Sequence, residues 1–189
     1  MNELKNGIKF SLIILGIIIG LAALGWGLVF ILRNCGLMFR AWVGTTYFLI
    51  MMILGQALVS VIVYTLSKLF STTQNFKHKK ALAAIGIIAV LLSSGVLGIS
   101  VLFGWTFTYQ PEHVVDKHGQ KMVAYVNSFL DVNVTYYEYL NFFVCGYTVL
   151  GREWYGSGGY DPFMREPVPE PKTYKFYDTQ GKVIAQSEE

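Results

Sequence analysis

Four side chains able to bind a metal or carry a proton fall within seven residues: Glu112, His113, Asp116 and His118. Imidazole and carboxylate are both zinc ligands, but closed zinc sites use defined spacings that this cluster does not match. His118 also falls in a turn, so these residues are expected to be solvated, and no metal or cofactor is assigned. A second stretch, Tyr155-Gly-Ser-Gly-Gly-Tyr-Asp161, is rich in glycine. Glycines let a ligand approach the backbone closely. A phosphate loop, however, lies between a strand and a helix whose N–H groups converge on the anion. Here Asp161-Pro162 follows and starts a turn. The stretch is therefore first a structural loop. Its sharper reading is a ligand loop made by Tyr155, Gly156, Gly158, Gly159, Tyr160 and Asp161.

The two cysteines, Cys35 and Cys145, are the remaining reactive groups. A disulfide between them would tie two distant segments together in an oxidising compartment. In the other reading Cys145, beside Val144 on a strand, is a buried apolar residue. No histidine stands near Cys145 in the sequence to activate it as a nucleophile. No serine elbow, P-loop, dinucleotide fingerprint or paired catalytic carboxylate is present. Asn133-Val134-Thr135 fits a glycosylation acceptor, which has meaning only for a eukaryotic source.

The elements that must hold these residues divide the chain in two. Of 189 residues 53% are hydrophobic and 14% charged, against about 25% charged in soluble domains. Three stretches carry no charge: 10–32, 42–67 and 81–103. A helix needs about 20 apolar residues to cross the hydrocarbon core, so three transmembrane helices are expected. The first is read as a retained signal anchor. Their interiors hold no Asp, Glu, Lys, Arg or His, which argues against a proton or ion pathway. Gln56 is the strongly polar mid-span residue, expected to make a helix–helix hydrogen bond involving Ser60 one turn on, or else a substrate contact. Gly16, Gly20, Ala23 and Gly27 line one face of the first span, and Ser94 and Gly98 form a second small pair. Such faces let helices approach closely, either within this chain or against a membrane-protein partner or a second copy.

The net charge of +3 is an average of two opposite halves. Residues 1–104 contain eight Lys/Arg against one acid, and 105–189 contain seven against eleven. Phosphate backbones need clustered Lys/Arg, so nucleic acid is not an expected partner of the tail, while membrane lipid is. Cytoplasmic loops carry the excess of basic residues. Lys5, Lys9, Lys68, Lys77, Lys79 and Lys80 share one side of a three-span chain, against Arg33 and Arg40 on the other. Lys77, Lys79 and Lys80, immediately before the third span, weigh most. The N-terminus is thus expected in the cytoplasm and the tail outside the plasma membrane. Trp26, Trp42 and Trp105 would then share the outer interface.

The tail, 105–189, changes texture. Residues 122–127 and 132–139 alternate, and 141–151 reads as a strand with a bulge at Gly146. Segments 114–124 and 175–185 read as hairpins turning at Asp116–Gly119 and Asp178–Gly181. Three prolines in 167–171 favour extended chain. The expected class is α + β: three transmembrane helices followed by a small antiparallel β domain, a sandwich or a partly open barrel. Three functions fit. The first is a membrane protein displaying the domain to a partner or ligand. The second is an accessory subunit of a transporter or other membrane complex. The third, with least support, is an outer-surface enzyme built on residues 112–118 and 155–163.

Overall fold

The computed structural model describes residues 2–72, 79–108 and 110–187, with side chains at 5–68, 81, 84–103 and 110–187. Lys77 lies outside the described residues. Lys79 and Lys80 open a helix, but their side chains, like that of Trp105, lie outside the described set. The chain divides into two compact units: Met1–Gly27 with Thr45–Thr108, and Leu28–Gly44 with Tyr109–Glu189.

The first unit is helical. α1 (Asn2–Asn34), α2 (Ala41–Thr72) and α3 (Lys79–Thr108) each contain a stretch long and apolar enough to cross a membrane: Lys5–Asn34, Ala41–Lys68 and Ala84–Phe103. Within an 18-residue apolar segment of each, 0%, 6% and 0% of the residues are buried in the chain itself. Their apolar surface therefore has to be covered by something other than this chain. The helix contacts use glycines, though not those of the 16–27 stripe. A Cβ on Gly7 would strike the Thr65 side chain, and one on Gly25 would stand 2.8 Å from the Tyr47 hydroxyl. On α3, a Cβ at Gly86 would come within 3.0 Å of Ser67 Oγ. Gly16, Gly20, Ala23 and Gly27 are exposed, and the three glycines have open space where a Cβ would be. Gln56 does bond between helices, but its Nε2 donates to Ser94 Oγ on α3 at 2.7 Å rather than to Ser60. The Ser60 hydroxyl instead donates to the Gln56 carbonyl.

The second unit is one antiparallel sheet. Its strands are β1 (Leu37–Phe39), β2 (Glu112–Lys117), β3 (Gln120–Asn127), β4 (Asp131–Tyr139), β5 (Val144–Ser157), β6 (Thr173–Tyr177) and β7 (Val183–Gln186). The order is β2-β3-β4-β5-β6-β7, with β1 added to β5. Both expected hairpins form. His118 and Gly119 take positive φ (51° and 74°) between β2 and β3, the conformation a two-residue hairpin turn requires. In the β6–β7 turn Asp178 Oδ1 accepts from the N–H groups of Gln180 and Lys182. The proline-rich stretch links the 3₁₀ turn Pro162–Met164 to β6, as its composition suggests.

Three findings differ from the sequence reading. α3 runs to Thr108, so the tail's sheet begins at Glu112 and not at 105. The short connection between the first two helices is itself a strand: Leu37, Met38 and Phe39 face Gly146, Cys145 and Val144. Gly36, at φ +70°, ends α1 and lets the chain turn into it. Finally, residues 122–126 of β3 are buried on both faces rather than alternating. Met122, Ala124 and Val126 face a core with Val132, Val134, Tyr136, Leu150, Tyr155 and Phe176. Val123 and Tyr125 face Cys145, Met38 and Ala41. Each large apolar side chain so buried contributes about 1.5–3 kcal/mol.

Curvature makes the first core possible. β5 has 14 residues and shifts register three times against the 9-residue β4. The largest shift falls opposite Tyr137–Tyr139 and includes Gly146, where the sequence placed a bulge. Bulges bend and twist the strand that carries them. β5 pairs with β1 through its first residues and with β6 through Gly151–Trp154. Gly151 is required there, because a Cβ would strike the ring of Phe176. The curl brings the β2–β3 turn against β6: the rings of His118 and Phe176 lie 4.6 Å apart.

Candidate functional site

One polar cluster of the second unit joins the interhelical connection to β2 and β3. Arg40 and Glu112 pair at 2.9 Å, with side chains only 8% and 13% exposed. The other Glu112 oxygen, Oε2, accepts from the backbone N–H of Ala41 at 3.2 Å. Ala41 is the first residue of α2, so Glu112 places a carboxylate at a helix N-terminus, where the free N–H groups and dipole favour negative charge. The same N–H also points to the Tyr125 hydroxyl at 3.2 Å, which lies 3.6 Å from Cys145 Sγ. Burial pushes the Tyr125 hydroxyl well above its usual pKa and raises that of the Cys145 thiol. Cys145 is thus a protonated, buried thiol, and low-pKa exposed thiols are the reactive ones.

Both cysteines are free, Cys35 exposed and Cys145 buried. The disulfide that the sequence allows is therefore not made, and register gives the reason. Met38 is the residue opposite Cys145. Cys35 lies in the turn between α1 and β1, outside that ladder.

A second cluster surrounds Glu153, which is 4% exposed. Its neighbours Gly151 and Tyr155 are also buried, so this face of β5 points into the core. Lys117 ion-pairs with Oε1, and the hydroxyls of Tyr136 and Tyr155 donate to Oε2. A buried carboxylate is tolerated only when paired and hydrogen-bonded. Burial, then the bond to Glu153, holds both tyrosines protonated well above their ordinary range. They act as donors to a carboxylate. Sequence reasoning missed Glu153 and Lys117. The available signal was register: 151, 153 and 155 share a strand face.

The metal-type residues of 112–118 are dispersed. Glu112 serves Arg40; His113 Nε2 meets Asp161 Oδ2 at 2.7 Å; Asp116 is exposed; the His118 ring rests on Phe176. Among the described residues no group of three His, Cys, Asp or Glu could hold a metal. The glycine stretch is occupied by the protein itself. Asp161 Oδ1 accepts from the Phe163 N–H and caps the 3₁₀ turn. A Cβ on Gly156 (φ +97°) would stand 2.8 Å from Lys172 Nζ. Lys172 in turn lies 5.4 Å from the Trp154 ring, and Arg165 lies 3.8 Å from that of Tyr160. Tyr155 belongs to the Glu153 cluster. Beside this stretch, the opposite face of β5, with β6 and β7, forms an open cleft of about 640 Å³ that includes Asn133, Arg152, Trp154, Lys175 and Gln186.

No family model matches this chain, and neither a curated protein nor a solved structure is similar to it. The site must therefore be read from its own chemistry.

Removing one member of a buried ion pair costs about 3–5 kcal/mol, while replacing both by apolar residues is close to neutral. Glu112→Ala should destabilise the sheet unit by that amount in denaturant titrations of the detergent-solubilised protein. Arg40→Met with Glu112→Leu should recover most of the loss. The tyrosines set an alkaline limit. A raised folded-state pKa stabilises fully below the unfolded value near 10 and is lost as pH rises above it. Absorbance at 295 nm should show Tyr125, Tyr136 and Tyr155 still protonated when exposed tyrosines have ionised. Their signal should appear only as the domain unfolds, and Tyr136→Phe should remove one tyrosine from that late step.

Proposed function

We propose that this chain is an integral membrane protein of the plasma membrane, with a cytoplasmic N-terminus, that presents a small β domain outside for binding a partner or ligand. The observation that carries this reading is the β1–β5 ladder. It joins the first connection and the tail in one sheet, which supports reading them as sharing one side of the bilayer. That matches two crossings, α2 and α3, between them. The excess of lysine in the other loop and at the N-terminus makes that shared side the outer one. The titratable clusters are engaged in internal pairs, which favours recognition over catalysis. A ligand would meet the Arg152–Trp154–Lys175 cleft.

A second reading, an accessory subunit or self-associating protein, is favoured by the open face of Gly16, Gly20, Ala23 and Gly27 on α1. Such a face permits close helix contact in lipid. Under this reading, Gly20→Leu should shift a mild-detergent complex to monomer.

Orientation has a native probe. Cys35 is exposed and Cys145 buried, so a membrane-impermeant maleimide added to intact cells should label Cys35, and Cys35→Ser should abolish the label. Labelling only after lysis would reverse the orientation.

A further inference from the structure

We infer that the β4–β5 turn and the first turn of α2 together form a membrane-interface anchor, with the headgroup layer of the bilayer as its partner. This rests on the reading of α2 as a membrane span. Trp42, the second residue of α2, packs against Phe142 and Phe143 with ring centroids 4.8 and 5.5 Å away. The two phenylalanines meet edge to face at 5.2 Å. The Trp42 indole N–H donates to the Phe142 carbonyl at 3.1 Å. Phe142 and Phe143 are 59% and 55% exposed, and Leu140 beside them 43%.

The patch is held rigidly. Asn141 Oδ1 accepts from the N–H groups of Phe143 and Val144 at 2.8 and 2.9 Å, fixing the turn. The Arg40 N–H donates to the Phe143 carbonyl at 2.9 Å, tying the turn to the residue just before α2. The Arg40 guanidinium, paired with Glu112, lies 5.9 Å from the Phe142 ring.

Depth along α2 identifies the occupant. The apolar stretch Ala41–Lys68 has 28 residues. At 1.5 Å per residue it is about 42 Å long, against a hydrocarbon core of about 30 Å. Its first turn therefore stands in the headgroup region, where Trp and other aromatic rings partition. Whatever is hydrogen-bonded to Trp42 stands at the same depth. Phe142 and Phe143 are thus placed where their exposure is relieved by lipid. A protein partner is the competing occupant, and the experiment separates the two.

Spin labels on single added cysteines in a Cys35→Ser background, where the remaining Cys145 is buried, reconstituted in phosphatidylcholine/phosphatidylglycerol vesicles, read depth as oxygen against nickel-chelate collision. Phe143→Cys is the test, Ile53→Cys the mid-span reference and Leu130→Cys, on the β3–β4 turn, the aqueous reference. The expected result is an oxygen-to-nickel ratio at 143 severalfold above that at 130 and below that at 53. Equal ratios at 143 and 130, with 53 in lipid, would overturn the anchor and leave the span intact. An aqueous reading at 53 would overturn the span reading, and the anchor with it. If Phe143→Cys does not fold, Phe142→Cys gives the same reading.

Discussion

The carboxylate of Glu112 between the Arg40 guanidinium and the first N–H of α2 is the constraint on which the second unit depends. Three demands meet in it. The start of a helix needs an acceptor, a nearly buried arginine needs a counter-charge, and the first strand of the tail needs a fixed origin. Satisfying all three with one side chain determines where β2 begins. It also holds the connection 36–41 in place as the floor under Val123, Tyr125 and Cys145. The Arg40 Nε, buried and with no hydrogen-bond partner, is the part of this arrangement that stays unsatisfied.

The Glu153 cluster does the same on the other face of the sheet. One carboxylate collects an ammonium and two phenols, and so fixes β2, β4 and β5 relative to one another. Both clusters resemble catalytic sites in composition. Their geometry instead shows acceptors filled by the protein's own donors, and tyrosines and a thiol pushed away from the ionised, reactive form.

Much of the fold was legible because its signals are local. Charge-free stretches of helical length announce α1, α2 and α3. Asp116–Gly119 and Asp178–Gly181 supply the turn chemistry of two hairpins. What could not be read is what depends on pairing over long sequence distances. Leu37–Phe39 is three residues long and carries no alternation, and only its ladder with Gly146–Val144 makes it a strand. The same segment is also why β3 is buried on both faces, since Met38 and Ala41 pack over Val123 and Tyr125 on the face that alternation would leave polar. Glu112 and His113 looked like one cluster in sequence. Adjacent strand residues point to opposite faces, and their partners Arg40 and Asp161 lie 72 and 48 residues away. The candidate ligand loop was half legible: its glycines do mark close approach, but the approaching group at Gly156 is Lys172 of the same chain.

The central claim is that the first interhelical connection and the tail form one sheet. Met38 and Cys145 stand opposite each other in that ladder, with the thiol 3.8 Å from the Met38 carbonyl. Directly opposed residues have Cα atoms about 5.5 Å apart, within disulfide range. In a Cys35→Ser background, Met38→Cys should therefore form a disulfide with the native Cys145 under mild oxidation, seen by mass spectrometry as a peptide pair. Leu37→Cys, one residue away and on the other face, should not. No Met38–Cys145 linkage, or an equal yield from Leu37→Cys, would contradict the composite sheet.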